Sequence, residues 1–353
     1  MRSKYRGRGV HSNTSGRFER LCTAPLSDQQ DFLENEGPLR TKVVLEAART
    51  IITRNKSPDL SFDRSINPYQ GCEHGCSYCY ARPTHAYWGL SPGADFESQI
   101  FAKTNAAELL RLELSKPSYI PKAIVLGANT DPYQPIERQY RITREILRVL
   151  LEFNHPIGLI TKSASILRDL DILKDLASRQ LVKVAVSVTS LNSALARSME
   201  PRASTPKKRL EALKTLSSEG IPTTVMVAPI IPAINDKEIE NILAAASLAG
   251  VSQAGYVLLR LPREVLQVFR EWLDREMPNK AQHVMSLIRS TRDGKDYEAA
   301  WGKRMKGSGP YSQMIKQLFE ASCRRHGLNR GSLELETKLF SRQVMEGQQM
   351  SLI

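Results

Sequence analysis

The chain has 353 residues, and 50 Lys and Arg against 37 Asp and Glu give it a formal net charge of +13. A hydrophobic fraction of 41% supports a packed core and excludes wholesale disorder. Five cysteines are too few and too odd in number for a disulfide scaffold, and neither a membrane span nor a signal peptide is readable, which predicts a cytoplasmic protein with no membrane partner.

At ~150 residues per domain the length admits two domains, or one α/β barrel with extensions. The charge sits in the flanks. Met1–Arg20 holds six basic residues and one acid, and Lys295–Arg330 holds eight and three, so each carries a net +5. Such flanks predict a polyanionic partner, DNA or RNA, whose phosphates release counterions when neutralised. The bland alternative is that they only keep the protein soluble.

Residues 1–60 read as a basic, Gly- and Ser-containing extension with a helix around 41–53. From 61 to 262, short β-branched runs alternate with helical patterns. Strands are predicted at 61–69, 100–103, 123–126, 157–160, 182–188, 223–228 and 256–261. Ile142, Ile146, Val149 and Leu150 form one helical stripe. Another helix announces its ends, with Thr205 as N-cap, Pro206 in the first turn and Gly220 as terminator. This alternation predicts parallel strands joined by crossovers, in a full or partial (β/α) barrel or an open doubly wound sheet. Either fold gathers chemistry at the C-terminal ends of its strands. Residues 263–340 read as a helical extension, with Val265, Val268, Phe269 and Trp272 on one helix and 311–323 as another. Residues 341–353 read as a flexible polar tail.

Three cysteines fall in one short loop, Cys72-x3-Cys76-x2-Cys79, directly after the first predicted strand. Three thiolates can grip a soft metal or an iron–sulfur cluster. A closed structural site wants four ligands, so three leave a coordination position open for chemistry. The alternative is a zinc site completed by His74 or His85. Cys22 and Cys323 lie in the flanks without metal-like neighbours and read as small apolar residues.

With Tyr78 just before the third cysteine, this loop resembles the signature of the radical S-adenosylmethionine (SAM) superfamily. The resemblance covers residues 61–262. It implies a partial (β/α)6 TIM-type barrel with a [4Fe–4S] cluster on Cys72, Cys76 and Cys79, whose fourth iron is chelated by SAM. One electron then cleaves SAM to methionine and a 5′-deoxyadenosyl radical, so an electron donor such as flavodoxin or ferredoxin is implied. Within the superfamily, Tyr78-Cys79-Tyr80 and Asn129-Thr130-Asp131-Pro132 resemble the spore photoproduct lyase branch, whose members are often labelled DNA repair photolyases. That likeness implies SAM contacts at Tyr78, Thr130, Asp131, Lys162 and Ser187, placed after the third, after the fourth and on the fifth predicted strands for the last four. Asp131 suits the SAM ammonium and Lys162 its carboxylate. The branch's cysteine hydrogen donor has no counterpart here, because Ala128 takes the corresponding position, so spore-type dimer cleavage is not implied. Met199-Glu200-Pro201-Arg202 and Ala228-Pro229-Ile230-Ile231-Pro232 resemble an uncharacterised bacterial subgroup of this branch. Glu200 and Arg202 read either as ribose or substrate ligands or as a turn salt bridge. Tyr80, Tyr133 and Gln134 are expected to face the pocket.

Three functions compete at this point: a radical SAM enzyme acting on nucleic acid or a nucleic-acid-bound protein, a nucleic-acid-binding protein with a structural metal, and a radical SAM enzyme for a small metabolite. The closing Gln349-Met350-Ser351-Leu352-Ile353 resembles the peptides by which bacterial repair proteins dock on the sliding clamp. Met350, Leu352 and Ile353 would be apolar anchors and Gln349 the hydrogen-bonding rim residue.

Overall fold

The computed structural model describes residues 5, 7–10, 12–18 and 39–342. Cys22 and the clamp-like Gln349, Met350, Leu352 and Ile353 lie outside the described residues.

The strands are β1 (Lys42–Glu46), β2 (Thr53–Arg54), β3 (Arg64–Ile66), β4 (Tyr69–Gln70), β5 (Gln99–Lys103), β6 (Ile124–Leu126), β7 (Ile157–Thr161), β8 (Val182–Ser187), β9 (Thr223–Ile230) and β10 (Gln253–Leu258). One sheet runs β10-β9-β8-β7-β6-β3-β2, every neighbouring pair parallel except β2–β3. Helices α1 (Ala106–Ser115), α2 (Ile142–Glu152), α3 (Leu170–Ser178), α4 (Pro206–Ser218) and α5 (Ile239–Leu248) fall between its strands. Six parallel strands with helices between them and an open edge make a partial TIM-type barrel.

The local causes are visible in the sequence. Val182, Val184 and Val186 are buried along β8, and Val225 and Val227 along β9, because alternate residues of a strand share the face turned to the core. The stripe of Ile146, Leu147, Val149 and Leu150 buries α2 against this sheet. Thr205 caps α4 by accepting from the Lys208 amide at 3.4 Å, and Gly220 sits two residues past its end at φ 74°.

Two expectations are corrected. Residues 41–53 are not helical. Val43 and Val44 lie in β1, which pairs in parallel with β5, and β2 begins at Thr53. A β-branched pair with a strand partner outweighs a weak helical pattern. Nor does the run at 100–103 belong to the barrel. β5 sits between β1 and β4 in a separate three-stranded sheet. Asp131, Lys162 and Ser187 therefore follow or end the second, third and fourth barrel strands, one earlier than expected. The last strand also ends at Leu258, because Leu259 and Leu261 leave the ladder for a second core.

That second core joins the C-terminal helices α6 (Val265–Glu276) and α7 (Ala281–Ser290) to the cysteine loop, and α8 (Gly309–Arg325) packs on α5. Val265, Phe269 and Trp272 meet Cys76, Tyr78 and Met199, and the Trp272 indole donates to the Ser198 carbonyl at 3.0 Å. The N-terminal residues are equally engaged. Arg8 is buried and donates to the Glu97 carbonyl at 2.6 Å, and Arg17 pairs with Glu264 at 2.6 Å. Of the eight basic residues in Lys295–Arg330, Lys295, Lys303, Arg304, Lys316 and Arg325 pair with carboxylates. No described helix is long and apolar enough to cross a membrane.

One buried group makes stability depend on acidity. His155 stands just before β7, with Nδ1 3.0 Å from the Pro156 carbonyl and Nε2 2.7 Å from the Tyr119 hydroxyl. A carbonyl only accepts, so the neutral ring donates from Nδ1 and accepts at Nε2. Burial pulls its pKa down to about 4. The unfolded chain takes up this proton near pH ~6.5, so stability falls as pH drops from there to about 4, by roughly 3 kcal/mol. His155→Gln, which can still donate and accept, is expected to flatten urea-derived stability across that window. An unchanged slope would place the titration elsewhere.

Candidate active site

The cysteine loop leaves β4 and returns through a seven-residue 3-10 helix, Arg82–Trp88. Its shape is fixed by distant partners. The Cys72 amide donates to the Phe96 carbonyl at 2.9 Å, and the Ser77 amide to the Met199 carbonyl at 3.0 Å. Gln134 bridges the loop from below, accepting from the Glu73 amide at 2.9 Å and donating to the Gly71 carbonyl at 3.2 Å. Arg82, wholly buried, donates to the Cys76 carbonyl at 3.0 and 2.8 Å and pairs with the equally buried Glu97 at 2.5 Å. Its other nitrogen reaches the Pro92 and Gly93 carbonyls at 3.1 and 3.0 Å, so every donor direction of the fork is used.

The N-terminal segment lies directly on this loop. The Gly9 amide donates to Glu97 Oε2 at 2.9 Å, and a Cβ at position 9 would stand 1.5 Å from the Gly75 carbonyl oxygen. Gly75 has φ 68°, and its own Cβ would meet Glu97 at 2.7 Å. Both positions need glycine because two backbones and a carboxylate share that space.

Cys72 and Cys76 are buried, and Cys79 is half-buried. Burial pushes the Cys72 and Cys76 thiols well up, with Asp131 raising the first further and Glu200 the second. Tyr78 turns inward, where its hydroxyl donates to Glu200 Oε1. Glu200 also accepts from Thr189 at 2.6 Å and pairs with the buried Arg209, which donates to the Ser187 carbonyl at 3.0 Å. The salt bridge of Glu200 thus goes to Arg209 in α4, whereas Arg202 pairs with Glu73 at 3.1 Å.

The other predicted residues gather at the strand ends beside the loop. Thr130 donates to the Tyr69 carbonyl at 2.7 Å. Asp131 Oδ1 accepts from the Tyr133 amide at 2.9 Å and the Thr161 hydroxyl at 2.7 Å, while Oδ2 faces the Lys162 amide at 2.7 Å and His74 Nδ1 at 3.4 Å. Burial alone would raise this carboxyl, but His74 and these donors outweigh it and hold it at about 2. Lys162 has no carboxylate partner among the described residues. Its ammonium lies 5.9 Å from the Tyr78 ring and eases ionisation of Cys76 and Cys79. Ser187 is buried at the end of β8. Tyr80 is exposed and donates to the Ala128 carbonyl, and Arg260 lies 4.9 Å over its ring. Tyr133 and Gln134 are buried instead, Tyr133 donating to Asp169 at 3.1 Å.

The Radical SAM superfamily model matches residues 66–246. The chain belongs to the radical SAM superfamily. An uncharacterized protein of Mycobacterium tuberculosis is 35% identical over 240 residues, covering 67% of this chain and 71% of that one. The radical SAM Nα-GlyT isomerase of Pseudomonas phage M6 is 27% identical over 169 residues, 47% of this chain and 33% of its own. Among solved structures, spore photoproduct lyase complexed with dinucleoside spore photoproduct superposes with a TM-score of 0.60 over 81% of this chain and 80% of that one, at 14% identity. That last likeness is one of fold. The protein is a radical SAM enzyme with this family's barrel.

The family implies SAM and an iron–sulfur cluster, and the donor set fits them. Among the described residues no three His, Cys, Asp or Glu side chains converge on a point as a single metal ion requires. Three thiols on one loop suit a cluster, in which each sulfur takes its own iron. Each histidine considered for a zinc site has one ring nitrogen engaged: His74 Nδ1 lies 3.4 Å from Asp131, and His85 Nε2 lies 2.9 Å from the Gln99 carbonyl.

The buried anchors Arg82, Glu97 and Gln134 were invisible in the sequence as loop supports. Each meets its partner only through the fold, and no spacing rule marks them.

Proposed function

We propose that the enzyme carries a [4Fe–4S] cluster on Cys72, Cys76 and Cys79, cleaves SAM reductively, and acts on a nucleic acid or a nucleic-acid-bound substrate. The observation that carries this reading is a loop of three closely spaced, largely buried thiols beside the ammonium of Lys162, which has no carboxylate partner among the described residues. When bound, the cluster and SAM would supply a 5′-deoxyadenosyl radical able to abstract a substrate hydrogen.

The chain's own residues have distinct tasks. Lys162 offers its charge to the SAM carboxylate, which in a half-buried site makes a strong, charge-assisted contact. Asp131 spends its lone pairs on His74, Thr161 and two backbone amides, so it chiefly fixes the second and third strand ends; any contact with the SAM ammonium adds to these. Tyr78 and Glu200 pin the loop to β8, Thr130 ties its strand end to Tyr69, and Ser187 lies at the C-terminal end of β8. Gly9, packed on Gly75, and α6 cover the loop and keep water from it.

The substrate class draws support from the relatives. One is named an Nα-GlyT isomerase, and one solved lyase of the same fold is complexed with a dinucleoside photoproduct. Ala128, lying under the Tyr80 hydroxyl, provides no thiol for returning a hydrogen. The reading also places the enzyme in a reducing cytoplasm with a flavodoxin or ferredoxin as electron donor, where thiols stay free. After anaerobic reconstitution with iron and sulfide, the protein is expected to form 5′-deoxyadenosine from SAM only when reduced. Stoichiometric zinc without that product would overturn the proposal.

A further inference from the structure

A second concave site lies beside the cysteine loop. It is a cavity of about 190 Å3 between the loop after Asp131, the turn after β7 and the start of α4. Arg138, Arg202 and Lys208 line it, and no carboxylate does. None of Cys72, Cys76, Cys79, Asp131, Lys162 or Ser187 lines it either, although His74 does, so it adjoins the SAM site from outside.

Arg202 is partly neutralised by Glu73, 3.1 Å away. Arg138 and Lys208 have no carboxylate partner among the described residues. A concave site with two uncompensated cations and no acid is unusual where most surface charges are mixed.

The hydroxyls in the wall point to the same ligand chemistry. Ser163 accepts from the Ser165 amide at 3.2 Å, Ser204 from the Ala164 amide at 2.8 Å, and Thr205 from the Lys208 amide at 3.4 Å. Each oxygen receives a backbone N–H on one lone pair and keeps its O–H to give. Three such donors, two free cations and the first turn of the 13-residue α4 all favour a compact oxyanion.

We propose that this cavity is a phosphate-binding subsite, positioned to hold a phosphate of the substrate while the reacting atom enters the barrel. The phosphate could come from a polynucleotide backbone or from a small phosphorylated molecule. The first source rests on the function proposed above; the phosphate chemistry does not. With most charges of the 295–330 flank already paired, this cavity offers a polynucleotide two cations that are not.

The test compares the reconstituted full-length protein with its Arg138→Gln/Lys208→Gln variant. A Lys174→Gln/Lys303→Gln variant loses the same net charge from exposed, already paired sites. Melting curves and cluster absorbance check that all three are folded. Calorimetric titration with inorganic phosphate should give saturable heat with the wild type and the charge control, and none with the pocket variant. Anisotropy of a fluorescein-labelled single-stranded oligodeoxynucleotide should show the pocket variant's salt slope reduced by about 1.4, and its affinity by about 20-fold near 0.1 M salt, for two lost phosphate contacts. If phosphate heat depends on the pocket but oligonucleotide binding does not, the subsite stands and the nucleic-acid reading falls. If the wild type gives no phosphate heat at millimolar concentration, or the pocket variant retains it, the subsite is overturned.

Discussion

Replacing any one of Cys72, Cys76 and Cys79 by alanine is expected to abolish the visible absorbance of the reconstituted protein. The physical reason is that each sulfur is the sole protein attachment of one iron, so one loss removes a third of the hold. The thiols are also buried, and burial raises Cys72 and Cys76 well above an ordinary thiol. Loading must therefore release protons, and a two-thiol site has less metal affinity to drive that release. Cys323→Ala is the matched control. This residue is 5% exposed in the main core, on α8, where it acts as a small apolar side chain. It should retain the absorbance, as should Cys22→Ala. Equal loss from Cys323→Ala would show that the ligand assignment is wrong.

The second large effect is expected at Glu97→Gln. This change keeps the shape of the side chain and removes the charge facing Arg82, 2.5 Å away, with both groups fully buried. Burying an ion pair is a poor source of net stability, but stranding one partner costs about 3–5 kcal/mol. Here the stranded guanidinium also holds the Cys76 carbonyl. The variant should therefore lose stability by that order in urea unfolding, and lose cluster occupancy with it. A double change, Arg82→Met with Glu97→Leu, removes the orphaned charge and should recover much of the stability while leaving the loop poorly held. A cost below about 1 kcal/mol for Glu97→Gln would sink the anchoring role.

What could be read from the sequence follows from where each signal lies along the chain. The strands β6, β7, β8 and β9 were legible because Ile124–Leu126, Ile157–Thr161 and the valines of β8 and β9 are local apolar runs. The cap at Thr205 and the cysteine spacing were equally local. The strand at Lys42–Glu46 was not, because its partner β5 lies more than fifty residues on. The same holds for the loop's supports. Glu97 follows Arg82 by 15 residues and Arg209 follows Glu200 by nine, with nothing in either spacing to mark a buried pair. The phosphate cavity was hidden for a related reason: its cations come from two separate segments, Arg138 on one and Arg202 and Lys208 on the other.

The approach of Gly9 to Gly75 has a consequence for how the protein handles iron over time. Residues 7–10 and 12–18 belong to no strand or helix and are tied down by Arg8, the Gly9 amide, Ser12, Asn13 and Arg17 and by packing of Val10 with Ala94 and Val268. A segment that forms no part of the sheet can open locally while the barrel stays folded. Each detachment bares one side of the cysteine loop while every strand of the sheet stays paired. With the proposed cluster on this loop, metal delivery and oxidative loss would therefore be governed by the free energy of a local opening. A protein with a very stable barrel can still exchange its cluster readily, and tightening the arm would slow both repair and damage together.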